Sequence, residues 1–311
     1  MRISFVESSF FFLLFGLVNC SPGSGKSGDV TADQACSDYA NAYCSAYANC
    51  SSFDGTLLYG SVSACVGRWK PICLSTINAP GTGFKPSVYE SCAQAYASTK
   101  CDVLLSNGRP DACNVLGSLA AGAACGDDSQ CATGYCKVDF FETCGACTAR
   151  VGLGATCTLS RDCESGACIA PGKCIAPAEA GGDCTATVCA GTLNCVGATC
   201  QPPASLADTC ILNPDPCDRD KGLSCDSATH KCVAPPPFAS AGAGCFIPGD
   251  AGPGTGTPTA TCTADSLCGA SNTCEAAIMD GAPCSTTGAN CLYPAECVSG
   301  ACTLPNPSAC H

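Results

Sequence analysis

Histidine, tryptophan and basic side chains are nearly absent from this chain. Its 311 residues include 2 His, 1 Trp and 14 Lys plus Arg, against 26 Asp plus Glu. Without a Lys/Arg cluster there is nothing to neutralise phosphates, which argues against nucleic-acid binding. The net charge of −12 favours solubility and cationic partners, and no more than that. The two histidines are His230, beside Cys232, and the final His311. Neither adjoins a candidate nucleophile, so no catalytic residues are assigned and a non-enzymatic protein is expected. Large core-forming residues are also scarce. After residue 125 the aromatics are Tyr135, Phe140, Phe141, Phe238, Phe246 and Tyr293. So few cannot anchor a conventional core of that size, and small cross-linked modules are the expected alternative.

Cysteine, by contrast, is abundant. The chain has 35, roughly a tenth of its residues, which is the composition of a disulfide scaffold in an oxidising compartment. The odd total sets Cys20 apart, because its removal leaves an even 34 that can all pair. Arg2 and the apolar stretch from Phe10 to Val18 read as an export signal over residues 1–20, too short to span a bilayer comfortably. The ending Leu17-Val18-Asn19-Cys20 resembles the lipobox of bacterial lipoproteins, with Asn19 where that family has Gly, Ala or Ser. The resemblance implies lipidation of Cys20 and attachment to the outer membrane or cell surface. Ordinary signal cleavage and plain secretion is the alternative. Residues 21–34 read as a flexible tether. Within it, Gly25-Lys26-Ser27 mimics the end of a phosphate loop but lacks the earlier glycine and the preceding strand.

Residues 35–117 carry a helical pattern. Tyr39, Tyr43 and Tyr47 recur at i, i+4, i+8 after Thr31 and Gln34, which have capping-box spacing. Val62, Cys65, Val66 and Trp69 share one helical face, and Pro71 is expected to kink or end that helix. Tyr89, Cys92, Ala93 and Tyr96 share another, with Ser87 and Glu90 as a second capping pair and a turn at Asn107-Gly108. Three short helices are therefore expected. Up to four disulfides drawn from Cys36, Cys44, Cys50, Cys65, Cys73, Cys92, Cys101 and Cys113 would staple them. The Tyr/Trp stripes read as core in preference to a ligand surface.

Residues 118–311 follow a different grammar, a sixfold repeat. Openings read Gly122-x-x-Cys125, Gly154-x-x-Cys157, Gly181-x-x-Cys184, Ala207-x-x-Cys210, Gly242-x-x-Cys245 and Gly281-x-x-Cys284. Units two to six then run Cys157/163/168/174, Cys184/189/195/200, Cys210/217/225/232, Cys245/262/268/274 and Cys284/291/297/302. The first unit holds five, Cys125, Cys131, Cys136, Cys144 and Cys147, and Cys310 stands alone near the end. These surplus members pair with neighbours or with each other, and spacing does not fix which. All of Cys131, Cys136, Cys163, Cys168, Cys174, Cys189, Cys195, Cys200, Cys217, Cys225, Cys232, Cys262, Cys268, Cys274, Cys291, Cys297 and Cys302 are read as structural. A glycine ahead of a cysteine permits the positive-φ turn that brings two bridging sulfurs within reach. Pro235–Pro237 reads as stiff linker and Gly249–Thr259 as a low-complexity insertion. The fold class is thus small and disulfide-rich: a helical stapled domain, then an array of short β/loop cysteine modules, expected to form a rod.

The Gly-x-x-Cys…Cys…Gly-x-Cys…Cys units resemble the Dickkopf N-terminal-like repeats of bacterial, notably myxobacterial, secreted proteins and lipoproteins. They also resemble the EGF-like and EB-type modules of animal extracellular proteins. The resemblance spans about residues 118–303. It implies an extracellular module array; the Wnt antagonism of animal Dickkopf proteins does not transfer, because their second cysteine domain is missing here.

Three chemical readings are weaker. Cys144-Gly-Ala-Cys147 has redox-dithiol spacing without the strand–helix context. Asp218, Asp220 and Gly222, with Asp215 nearby, start like a calcium loop but lack the closing Glu, whose place Thr229 takes. Asn49-Cys50-Ser51 formally matches a glycosylation sequon. No metal or cofactor is expected, and the partner is an unknown extracellular protein or surface ligand. Binding, adhesion or surface structure is the leading expectation. A secreted inhibitor or antagonist is the runner-up, and a thiol–disulfide redox protein comes behind both.

Overall fold

The computed structural model describes residues 30–106, 108–138, 142–169, 172–212, 215–245, 260–269, 271–285 and 291–310. The export signal, Cys20, most of the tether, Asn107, Phe140, Phe141, Phe246, the 249–259 insertion and His311 lie outside these residues. The architecture is small and disulfide-rich, a helical domain followed by short strand pairs. Among the described residues every cysteine is disulfide-bonded.

Five helices form the first domain: α1 (Ala32–Cys50), α2 (Ser52–Tyr59), α3 (Val62–Ile77), α4 (Pro86–Tyr96) and α5 (Cys101–Leu105). The two beyond the expected three are short, one or two turns each. Because α1 begins at Ala32, the last residues assigned to the tether are helix. The Thr31 side chain accepts from the Gln34 N–H at 3.2 Å. Gln34 does not reciprocate; it donates to Asp38 at 2.8 Å. The second expected capping pair does not form. Pro86 takes the first helical position, where its missing N–H has no intrahelical partner to lose, and Ser87 is already inside α4.

Pro71 neither ends nor interrupts α3. Disulfides Cys44–Cys65 and Cys36–Cys73 tie α3 to α1 on either side of the proline, holding both halves in line. Cys50–Cys101 and Cys92–Cys113 complete the four staples. Tyr39, Tyr43 and Trp69 are core, as their helical spacing implied. Tyr39 meets the edge of Tyr89 at 4.9 Å, and Tyr43 meets Trp69 at the same distance. Trp69 Nε1 donates to the Tyr59 hydroxyl at 2.7 Å, so its one polar atom is satisfied.

Burial makes these phenols hard to ionise. It pushes Tyr43, Tyr59, Tyr89 and Tyr96 well above the ordinary value of 10.0 and Tyr47 up to about 12. Unfolded tyrosines release their protons first, so the native state binds more protons above pH 10. Stability is therefore full below pH 10 and falls as the pH rises further. The helical circular dichroism should collapse together with a late, cooperative rise in phenolate absorbance. Phenolate absorbance rising near pH 10 with the helices intact would contradict this packing.

The modules share one internal plan. Units two to six join first to third and second to fourth cysteine: 157–168 and 163–174, 184–195 and 189–200, 210–225 and 217–232, 245–268 and 262–274, 284–297 and 291–302. In unit one the bonds are 125–136 and 131–147, so Cys144 is the extra member. The third and fourth cysteines face each other across an antiparallel strand pair, as at Cys168/Cys174 and Cys297/Cys302. Each reaches back to a different earlier cysteine. In most modules three sulfurs lie within 4.8 Å of one another because two bonds sit side by side as the core. About 3 kcal/mol per short loop substitutes for apolar burial.

Every module opens on the same turn. The N–H of Ala123, Ala155, Gly182, Asp208, Ala243 and Ala282 donates three residues back, to Ala120, Gly152, Glu179, Ser205, Ser240 and Met279. The third turn residue has positive φ in each: Gly122 84°, Gly154 79°, Gly181 80°, Ala207 69°, Gly242 90° and Gly281 77°. This is the type II pattern. That same residue's N–H then donates to the carbonyl of the module's last cysteine, which locks turn to hairpin.

The array is not the expected rod. It leaves the helical domain and returns to it. Module one docks through Gly83 N–H to Ser129 O and Gln130 Nε2 to Pro80 O, at 2.8 and 2.9 Å. Modules one and two are joined through Tyr135 Oη to Asp162 Oδ1 at 2.5 Å, and Arg150 to Asp128 at 2.9 Å. Asn194 of module three donates to Pro216 O of module four at 3.0 Å. Module four then meets α2, with Ser51 Oγ donating to the Asp220 carbonyl and Phe53 lying where a Gly222 side chain would be. Phe238 packs on Phe53 at 5.4 Å, and Tyr293 on Tyr59 at the same distance. Arg68 grips module six with a fork to Asp280 and further bonds to the carbonyls of Leu292 and Tyr293. Finally Cys310 bonds to Cys144, 166 positions away.

Candidate interaction surface

The surplus cysteines pair with each other across the array, one of the two outcomes that parity allowed. Cys144 and Cys147 therefore belong to different bonds, to Cys310 and Cys131 respectively. No dithiol forms between them.

The acidic loop of module four spends its carboxylates on its own backbone. Asp215 accepts from the N–H of Cys217 and Cys225, both at 3.0 Å. Asp218 caps the turn Arg219–Lys221 and pairs with Lys221 at 2.8 Å. Asp226 accepts from the N–H of Thr229 at 2.7 Å. Burial first, then repulsion from Asp218, raises the carboxyl pKa of Asp220; burial also raises that of Asp54 across the interface. These groups brace a loop and its contact with α2. His230 sits at a turn with φ of 52°, its carbonyl accepting from the Cys210 N–H at 2.9 Å. In the sequon, Cys50 is bonded to Cys101 and Ser51 is buried beneath module four.

What the molecule presents outward is its set of turn tips. The second residue of the six opening turns is Ala121, Leu153, Ala180, Leu206, Ala241 and Asp280. Leu153 is 66% exposed and Leu206 59%. Ile211 and Leu212, after the first cysteine of module four, and Val188 of module three are also exposed. An apolar side chain on a turn fixed by a positive-φ residue, a hairpin hydrogen bond and two disulfides has little freedom left to lose on binding. Asp280 shows what such a tip can do, since it is the tip that Arg68 holds within the molecule itself. The sequence reading located the turn glycines but not the side chains they present. The signal available was Leu153 and Leu206, large residues where most other units have alanine.

Among the described residues, no helix is long and apolar enough to cross a membrane. Seventeen disulfides point to an extracellular or secreted protein. No family model matches the chain, and no solved structure matches it. The resemblance to Dickkopf-type and EGF-type modules thus stays an expectation from cysteine and glycine spacing. Among curated proteins, the chain is similar to cell-cell adhesion glycoprotein 64 of Heterostelium pallidum, 28% identical over 160 residues. That match covers 49% of this chain and 47% of the glycoprotein, so it spans about half the length of each.

Proposed function

We propose that the protein is a non-enzymatic extracellular binding protein that acts in adhesion at a cell surface, through the rigid turn tips and loops of its modules. The observation that carries this reading is the similarity over half the chain to an adhesion glycoprotein. The exposed leucines on braced turns supply contact points consistent with it. Surface attachment is through a lipid on Cys20, which would appear in the intact mass of protein extracted from membranes as a diacylglyceryl group on an N-terminal cysteine.

Adhesion is a many-bond process, so weak single contacts suffice when many copies share a surface. Beads coated with the protein through its N-terminal side should cluster or bind producing cells. Beads carrying Leu153→Asp with Leu206→Asp should lose most of that binding, at least tenfold, with the disulfides intact. Wild-type beads that stay dispersed and bind no cells would overturn the reading. Soluble protein that blocks a target equally well without any surface attachment would favour an inhibitor or antagonist instead.

A further inference from the structure

One disulfide differs from the other sixteen. The others join cysteines 11 to 51 positions apart, each within the helical domain or within one module. Cys144–Cys310 spans 166 positions and joins module one to the segment after module six. Both of its cysteines are surplus to the four-cysteine plan. Breaking it leaves each module with both of its own bonds.

The remaining closure is a set of small polar contacts and ring contacts. Ser75 Oγ hydrogen-bonds Asn306 and lies 3.3 Å from Ser308 Oγ. Pro307 and Cys310 rest against Gly126. Arg68 holds Asp280, which is 39% exposed, and Tyr59 meets Tyr293. Contacts of this kind are individually weak. They persist while the covalent bond keeps the two faces together at high effective concentration.

We propose that Cys144–Cys310 is a latch opened by thiol–disulfide exchange, and that opening it releases modules five and six from the helical domain without unfolding any module. The reductant is an extracellular dithiol, a small molecule or a surface oxidoreductase with paired cysteines. Its thiolate attacks Sγ of Cys144, the half-buried residue of the pair, while Cys310 is 1% exposed. The Cys144–Cys310 bond breaks and Cys310 leaves as a thiolate that takes a proton from water. The second thiol of the reductant then attacks the mixed disulfide and frees Cys144. The dithiol ends oxidised by two electrons, and the protein holds two thiols.

Two features confine the exchange to this bond. Cys147 lies three positions along from Cys144, next to and within the strand Gly145–Cys147, where side chains alternate between faces. Cys147 and its partner Cys131 are 1% and 0% exposed, out of reach of the freed thiolate. Cys101 is exposed, and Cys168, Cys189, Cys195, Cys225, Cys268, Cys284 and Cys291 are as half-buried as Cys144, but each of their bonds joins two sulfurs of one domain or one module, whose own packing holds them together. A thiolate freed there stays beside the mixed disulfide and re-forms the bond by expelling the reductant's thiolate, whereas the latch sulfurs move apart with their modules before that reversal.

The test is a dithiothreitol titration of the intact protein at neutral pH, with alkylation, peptide mapping and small-angle scattering on each sample. The first alkylated pair should be Cys144 and Cys310. Its appearance should coincide with a rise of at least a tenth in the radius of gyration, from about 19 Å for a compact chain of this size. Helical circular dichroism should stay unchanged. The double variant Cys144→Ser with Cys310→Ser should have the larger radius without reductant. Another pair reacting first, or opening at Cys144–Cys310 with no change in radius in either protein, would overturn the proposal.

Discussion

Replacing Cys36 and Cys73 together by alanine is expected to cost the helical domain about 5 kcal/mol and to loosen every module docked on it. Closing a loop of 37 positions accounts for about 4 kcal/mol of that in the chain-entropy account, and the cavity left by the two sulfurs supplies the rest. The same account makes Cys50–Cys101, which closes 51 positions, worth slightly more. Burial ranks them the other way. Cys36 and Cys73 are 0% and 1% exposed in the same cluster as Phe84 and Tyr89, so removing their sulfurs also opens a cavity. Cys101 is exposed, and its loss leaves no void. Denaturant unfolding of the two double variants should therefore place the Cys36/Cys73 midpoint clearly lower. Equal midpoints, or the reverse order, would mean that loop length alone sets the value of these bonds.

Arg68→Ala is expected to loosen the seat of module six on α3 while Cys144–Cys310 keeps the module tethered. The Arg68 side chain is 13% exposed and makes four hydrogen bonds to one module, two to Asp280 and two to main-chain carbonyls. Truncation leaves those acceptors to water, and with Asp280 partly exposed the cost is about 2 kcal/mol. Arg68→Lys keeps the charge but loses the fork and should recover less than half. Amide exchange reports this directly. The N–H groups of Gly281, Cys284 and Cys302 bond within module six and should stay protected, because its two disulfides remain. The segment 292–296, which Arg68 holds, should exchange faster. Loss of protection throughout module six would show that the module depends on the hub for its own fold.

Much of this architecture was legible in the chain because its cysteines repeat with their glycines. The openings at Gly122, Gly154, Gly181, Gly242 and Gly281 mark turns that need positive φ, and Ala207 adopts the same conformation in the glycine's place. Helical spacing likewise placed Tyr89, Cys92, Ala93 and Tyr96 in the core, where all four are buried. Connectivity was not legible, since four cysteines allow three pairings and spacing favours none. The return of the array was hidden for a related reason. It depends on single side chains, Arg68, Ser75 and Phe53, meeting residues 185 to 233 positions away. No local pattern announces such contacts. Pro71 misled because the rule for proline in helices concerns an isolated helix, and α3 is bonded to α1 on both sides of it. The surface leucines were visible as residues, but their exposure follows from turns whose outward face only the fold defines.

The Cys144–Cys310 bond also decides how the molecule bears tension. A pull applied between the helical domain and residue 310 runs through module one as far as Cys144 and then crosses the bond. Modules two to five hang beside that path, and module six shares the load only through its non-covalent contacts with α3. If the bond is cut, the whole array enters the line of tension. The released segment has a contour of several hundred ångströms at about 3.4 Å per residue, shortened by the loops that the module disulfides keep closed. An extracellular protein with such a reserve can lengthen under strain before any of its modules unfolds.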